Sequence, residues 1–379
     1  LSSELHPSDV LPARIASPQG RPAAPVVDDL DRGSRRRGLV VWVGVLFAML
    51  LVTIPVASGI GPVGIAPGTA ARVVGHHLLD WPHAVTWDSS DDAIIWLIRI
   101  PRVLLGVVVG AGLAIAGVAL QAMVRNVLAE PYLLGVTSGA TTGAALTIAF
   151  GVASGLGASA LSVSAFVGAL GATAAVFLIA RTGGRVTAIR MLLAGVMIGY
   201  LLSAATSALI FASNDPNAAS SVLFWLLGTL SLAQYHAVGI AALAVAGCFV
   251  VHLLWARRFD ALAIGDDTAQ ALGVNPSRFR AQALVVVALC VGVVVAVSGG
   301  IGFVGLVVPH IARRLVGGAH RRVFPVAALL GAIFLIWADV LARTAFQPAE
   351  LPIGIVTAVL GAPFLLVLIK RFHGAAAAA

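Results

Sequence analysis

From residue 39 onward the chain is a succession of apolar runs, most of them long enough to cross a bilayer, separated by gaps that carry arginine. About 20 apolar residues at about 1.5 Å of helical rise each cover a hydrocarbon core of about 30 Å. The runs read as spans at about 39–57, 94–124, 131–152, 158–180, 188–212, 236–256, 281–297, 303–316, 323–346 and 353–370. With 59% hydrophobic and 11% charged residues, the chain cannot build the water-facing surface of a soluble domain, which carries about 25% charge. A soluble enzyme, a disordered protein and a nucleic-acid-binding module are excluded. The expected fold is all-α, a polytopic membrane protein of about ten transmembrane helices. The run 303–316 is too short and too rich in Gly and Pro to span alone, so it must pack among other helices or line a polar cavity.

All but one of the 24 basic residues are arginines, Lys370 being the exception. Arg125, Arg181, Arg185, Arg190, Arg257, Arg258, Arg278, Arg280, Arg313, Arg314, Arg321, Arg322, Lys370 and Arg371 fall on the side of the N-terminus if there are ten spans. The opposite loops hold Arg72, with Arg99 and Arg102 at the rim, beside Asp80, Asp88, Asp91, Asp92, Asp215 and Glu350. The positive-inside rule then puts both termini in the cytoplasm. Residues 1–36, rich in Pro, Asp, Ser and Arg, read as a flexible cytoplasmic tail, 37–373 as the membrane domain and 374–379 as a short tail. The chain opens on Leu1 rather than Met, which leaves room for residues before it, and no secretory cleavage pattern is visible. Cys248 and Cys290 lie inside apolar runs and read as small buried residues.

Two gaps are long enough to fold. Segment 58–93 carries three His and two Trp on the outer side. Segment 257–280 is cytoplasmic; within it Asp266, Asp267 and Thr268, with Gly273 behind, predict a capped helix of one or two turns, followed by a second turn opening at Asn275–Pro276. Such an elbow is a natural docking knob. Gly106–Gly110 and Gly139–Gly143 have the spacing that lets helices approach closely, although among 41 glycines such spacings also arise by chance.

The chemistry available is narrow. A phosphate-cradling loop needs Lys before Ser or Thr, and the only Lys is followed by Arg371, so this chain is not itself an ATPase. Only Asp339 sits well inside a span, with Glu130 at the inner edge of another, and Arg343 lies one helical turn from Asp339 as a structural ion partner. Coupling to protons or sodium is therefore poorly supplied. His76, His77 and His83 read as solvated loop residues rather than a metal site, and His310 as a packing residue. No nucleophile–base pair stands near a supporting carboxylate, so no catalytic residue, metal site or cofactor is assigned to this chain.

Several long motifs occur in order: Arg-Ile-Pro-Arg at 99–102, Gly-Ala-Gly-Leu-Ala-Ile-Ala-Gly at 110–117 with Gln121, Arg-Asn-Val-Leu-Ala-Glu-Pro-Tyr-Leu-Leu-Gly-Val at 125–136 with Ser138, Gly139 and Ala140, and Leu-Leu-Ala-Gly at 192–195. The elbow follows at 264–274, then Gly-Phe-Val-Gly-Leu-Val-Val-Pro-His-Ile-Ala-Arg at 302–313, Ala-Asp-Val-Leu-Ala-Arg at 338–343 and Glu-Leu-Pro-Ile-Gly at 350–354. Over about 94–371 this resembles the membrane permease of the iron-siderophore, haem and cobalamin ABC importers, the large type II importers. The resemblance implies a homodimer with a translocation path on its axis, two cytoplasmic ATPase subunits that bind ATP and Mg, an extracytoplasmic binding protein and a place in the cytoplasmic membrane. It implies that Arg99, Arg102 and Arg343 dock the binding protein through carboxylates, and that Asp266, Asp267, Gln270, Leu272 and Gly273 contact the ATPase. It implies a cytoplasmic gate at Asn126, Leu128, Thr187 and Ala188, where Val127 replaces the family's Pro and returns a backbone N–H to the turn. Ferric siderophore is the first expectation for cargo, then haem, then cobalamin. An ion-coupled carrier and a non-transporting scaffold are the readings from other classes.

Overall fold

The computed structural model describes residues 32–182, 185–347 and 349–377. All ten apolar runs become helices. In chain order the helices are α1 Arg32–Gly59, α2 Pro67–Leu79, α3 Ser89–Ala93, α4 Ile100–Val124, α5 Val136–Phe150, α6 Ala160–Ala180, α7 Ala188–Ala212, α8 Ala218–Leu226, α9 Tyr235–Leu254, α10 Ala256–Ile264, α11 Asp266–Ala271, α12 Pro276–Ser298, α13 Val304–Val316, α14 His320–Thr344 and α15 Ile353–Ala377. A π-helical turn at Ile94–Arg99 joins α3 to α4, and a two-residue hairpin, β1 Arg181–Thr182 with β2 Arg185–Val186, joins α6 to α7. Among the described residues seven helices are long and apolar enough to cross a membrane by themselves.

Some boundaries differ from expectation. The predicted tail 1–36 lies outside the described residues up to 31, and 32–36 are already helical. Residues 374–377, read as tail, continue α15, in keeping with alanine's high helix propensity. The 213–235 gap contains α8, and the arginine-bearing stretch at 256–264 is the amphipathic α10, not loop. The turn expected at Asn275–Pro276 is the start of α12 itself; Asn275 caps it by accepting a 3.0 Å bond from the Arg278 N–H.

The core is built around α4, which lies against α14, α12, α13 and α9 and is buried along nearly its whole length. In lipid there is little hydrophobic drive between helices, so close backbone approach has to supply dispersion. A Cβ on Gly110 would stand 2.2 Å from the Gly331 carbonyl oxygen, and one on Gly331 would stand 2.3 Å from that of Gly110. The α5–α6 crossing uses Gly139, Gly143 and Gly168 in the same way, with clashes at 2.1–2.3 Å. Gly106 makes only ordinary contacts at 3.5 Å, so its spacing from Gly110 carries no crossing.

Two spans are broken. α13, with 13 residues, covers about 20 Å and α5, with 15, about 22 Å. The break before α5 is a 3-10 turn at Pro131–Leu134, which apolarity alone conceals. The two breaks meet: the Tyr132 hydroxyl accepts from the Ile301 N–H, and the Glu130 carboxylate accepts from the Phe303 N–H at the start of α13. Glu130 thus caps a helix far from it in sequence, which satisfies an orphan donor inside the bundle.

Candidate functional site

Three regions hold the polar chemistry. At one end of the bundle, α1 stops at Gly59 and leaves carbonyls without helical donors. Arg99 donates to Ser58 and Gly59 O, both at 2.9 Å, and to Val63 O. Arg343 donates to Ala57 O at 2.7 Å. Guanidinium groups placed against a helix C-terminus complement both its free carbonyls and its dipole. Arg102 uses its Nε and Nη2 on Asp339, at 3.0 and 2.9 Å, and its Nη1 on Glu350 at 3.0 Å. Arg343 is 3.5 Å from Asp339, so the local pairing read from sequence exists but is the longer of the two.

The structure therefore gathers Arg99, Arg102 and Arg343 at one end, as the motifs suggest, yet it turns them inward. They are 4%, 7% and 2% exposed and spend their donors on internal acceptors. Docking through free guanidinium groups requires exposure that the single subunit does not give them. The outermost member is Glu350, whose side chain is 35% exposed. Nearby, His77 pairs with Asp92 at 3.1 Å and stacks on Trp96 at 4.2 Å, His76 bonds Pro82 O at 3.0 Å, and His83 lies 3.8 Å from Asp80. Among the described residues no three His, Cys, Asp or Glu side chains converge as a metal site would require.

At the opposite end, α10 is anchored by Phe259, fully buried among Phe279, Phe324 and His252, and by Asp260, which accepts from the His320 N–H at 2.9 Å. Gly265 and Gly273 bracket α11, and Gly273 adopts a left-handed φ of 79° at its end. Asp267, Gln270, Leu272 and Gly273 are exposed on the elbow. Asp266 differs: its carboxylate is gripped by Arg280 at 2.6 and 2.8 Å, with Arg125 at 3.8 Å. The hydrogen bonds from Arg280 hold the Asp266 carboxyl below the usual carboxylate range, against a smaller opposing effect of burial. A lowered folded-state value means that the tether is fully formed above about pH 4, the unfolded value, and weakens as pH falls through the lower one. Amide exchange across 266–273 is accordingly expected to be no faster at pH 5 than intrinsic chemistry dictates, and to rise only in stronger acid.

The residues expected to form a gate lie beside this elbow. After α4, Arg125 takes a left-handed φ of 51°, and the Asn126 side chain accepts from the Leu128 N–H at 2.9 Å. This Asx turn shapes the loop with Val127 where Pro was expected. Asn126 and Leu128 are exposed; Thr187 is extended and Ala188 opens α7, and the adjoining β2 is tied to α12 by the Val186 N–H to Ser277 Oγ, 2.9 Å.

The third region was assigned no residues from sequence. A cleft of about 300 Å³ between α5, α7 and α8 is lined by Thr141, Ser203, Thr206 and Ser207 together with Ile210, Val222, Leu223 and Leu226. Thr142 and Thr206 hydroxyls bond each other at 2.9 Å beside it. The signal was present as hydroxyls at Ser203, Thr206 and Ser207, three and four residues apart on one face of α7, but without the α8 wall it reads as ordinary helix surface.

Comparison with known proteins adds the following. The chain matches the FecCD transport family over residues 47–371. It is 42% identical over 291 residues to the hemin transport system permease protein of Yersinia pestis, covering 75% of this chain and 86% of that one. It is 40% identical to the Fe(3+)-citrate import system permease protein of Bacillus subtilis, covering 75% and 84%, and 40% identical to the cobalamin import system permease protein of Halobacterium salinarum, covering 74% of each. Among solved structures it is similar to a metal-chelate type ABC transporter in an inward-facing conformation, with a TM-score of 0.75 and 31% identity, over 87% of this chain and 98% of that one.

Proposed function

The chain belongs to the FecCD transport family, and on that premise we propose that it forms the translocation path by which a ferric chelate, a siderophore complex first, enters the cell. It is an ABC importer permease, a transport subunit of the cytoplasmic membrane that crosses it many times. The observation that carries the cargo class is near-equal relatedness to permeases named for hemin, ferric citrate and cobalamin, all of them metal chelates. The hydroxyls of the α5–α7–α8 cleft favour an oxygen-rich chelate, since they offer donors and acceptors and no axial ligand for iron. Haem is the second reading, favoured by the hemin relative.

The proposal includes two copies of this chain, with the exposed apolar face of α7 (Leu193, Met197, Tyr200 and Leu201) turned toward the partner copy or lipid, and both termini cytoplasmic. Two ATPase subunits dock on Asp267, Gln270, Leu272 and Gly273, with Asn126, Leu128, Thr187 and Ala188 gating the path above them. A binding protein docks on the outer rim. There Arg102 is the residue able to exchange a partly exposed partner, Glu350, for an incoming carboxylate, while Arg99 and Arg343 hold the rim in shape.

The test is uptake into proteoliposomes containing this permease, its ATPase and its binding protein, offered ferric siderophore, haem and cobalamin in parallel. ATP-dependent accumulation of the siderophore complex is expected. Accumulation without the ATPase, driven by a pH gradient and lost in Asp339→Asn, would point instead to an ion-coupled carrier. In the same system Leu272→Glu is expected to lower retention of the ATPase by about tenfold or more, since it buries a charge at a contact centre. Unchanged co-purification would remove the elbow from that interface.

A further inference from the structure

Arg280 enters the sequence reading only as one more inner positive charge, yet it is 1% exposed and among the largest fully buried side chains. It sits in the first turns of α12 and spends donors on two other elements. Its Nε donates to Met123 O at 3.0 Å, and its Nη1 and Nη2 donate to the two Asp266 oxygens at 2.8 and 2.6 Å. Met123 lies in the last turn of α4, where carbonyls have no helical donor and the dipole favours a cation. Immediately beyond, Arg125 turns left-handed and the chain enters the Asn126–Leu128 loop. Asp266 is the first residue of α11; its side chain is 41% exposed, and Asp267, Gln270 and, just past the helix end, Leu272 are exposed beside it. The elbow thus has exposed side chains and, through the buried Arg280, a hook fastened to the end of α4.

A bidentate guanidinium–carboxylate pair is planar and has a fixed geometry, so it resists both rotation and stretching more than a single contact would. Apolar packing would have filled the same space without the cost of burying a cation, whereas this arrangement adds direction. Resting on the reading that the elbow receives the ATPase, we propose that Arg280 is a positioning residue that carries displacement of α11 to the inner end of α4 and so to the gate loop 125–129. Arg125, at 3.8 Å from Asp266, is a weaker second tie on the same line.

The experiment uses the full permease with its ATPase and binding protein in proteoliposomes and compares Arg280→Met, Arg280→Lys and Asp266→Asn with the parent. In Arg280→Met the ATPase is expected to co-purify at the parental ratio and to hydrolyse ATP, while cargo accumulated per ATP hydrolysed falls by about tenfold. Arg280→Lys is expected to recover part of that ratio, because one ammonium can serve Met123 O or Asp266 but not the fork. A parental uptake-to-hydrolysis ratio in Arg280→Met overturns the proposal, and so does a proportional loss of assembly, hydrolysis and uptake together, which marks a purely structural role. If Arg280→Met does not reach the membrane, the same ratio is read in Asp266→Asn, and no change there overturns the proposal equally. If the ATPase fails to bind even the parent, the docking reading falls and the hook is judged on the permease alone. Amide exchange must then rise about tenfold in both 266–273 and 125–129 for Arg280→Lys and Asp266→Asn. A rise confined to 266–273 overturns it.

Discussion

Arg102→Leu is expected to destabilise the folded subunit by about 3 kcal/mol, the lower end of the cost of breaking a buried ion pair, because the carboxylate loses its principal counter-ion. Asp339 is 2% exposed, and Arg102 supplies both its shortest contacts, at 2.9 and 3.0 Å. Arg343 takes over only in part: its Nη2 is committed to Ala57 O at 2.7 Å, while its Nε, buried without a hydrogen-bond partner, faces Asp339 at 3.5 Å. Glu350, being partly exposed, loses its partner at much smaller cost. The measurement is denaturant unfolding in detergent together with the folded yield from membranes. The double change Arg102→Leu with Asp339→Leu is expected to recover part of the loss, because it removes the desolvation penalty of the pair along with its attraction but leaves the buried Arg343 without its carboxylate. A double variant no more stable than the single one would show that the pair does not act as a unit. The same comparison separates stability from docking. A binding-protein affinity that falls only in proportion to folded protein assigns these arginines to the rim's architecture, not to the contact.

Gly110→Val is the second change with a large expected effect. The α4 and α14 backbones meet with each glycine's absent Cβ pointing at the other's carbonyl, at 2.2 and 2.3 Å. No rotamer relieves a clash between a Cβ and a backbone oxygen, so the helices must separate along their length. Overpacking in a close-packed interior costs about 1–3 kcal/mol where side chains can move, and here nothing flexible can give way. Loss of most folded protein is expected, read as detergent-soluble monodisperse yield and as melting temperature. Gly106→Ala, one turn away on the same helix, is the control. Its Cβ would meet Ile336 and Leu230 side-chain atoms at 3.5 Å, an ordinary contact, and a melting temperature within a few degrees of the parent is expected. Equal losses in the two variants would discount the crossing.

Much of the fold was legible because the signals are local. The apolar length of each run sufficed to locate its helix, and Asp266 to Gly273 announced the elbow through residue types that end and begin helices. Even so, the elbow's acids were read as one set. Asp267 is exposed, whereas the partly exposed Asp266 is held by a buried partner 14 residues on, across the turn into α12. The motifs at 99–102 and 338–343 gathered Arg99, Arg102 and Arg343 at one end of the bundle, but motif similarity carries no exposure. The free carbonyls that claim Arg99 belong to a helix end 40 and 41 residues earlier. The break before α5 escaped notice because Pro131, Tyr132, Leu133 and Leu134 are as apolar as a span, and only the partners of Glu130 and Tyr132 reveal that they are not one.

By itself, then, the order of residues determined that this is a bundle of membrane helices, roughly where each of its ten long apolar runs lies and which loops carry positive charge. Those properties depend on burial length and charge within a few turns of chain. Tertiary structure alone decided which buried charge meets which: Arg102 with Asp339 across 237 residues, Arg280 with Met123 across 157, Glu130 with Phe303 across 173. In a low-dielectric interior every polar group must find a partner, but the partner is chosen by which backbones glycine allows to touch, and that is settled only when the helices cross.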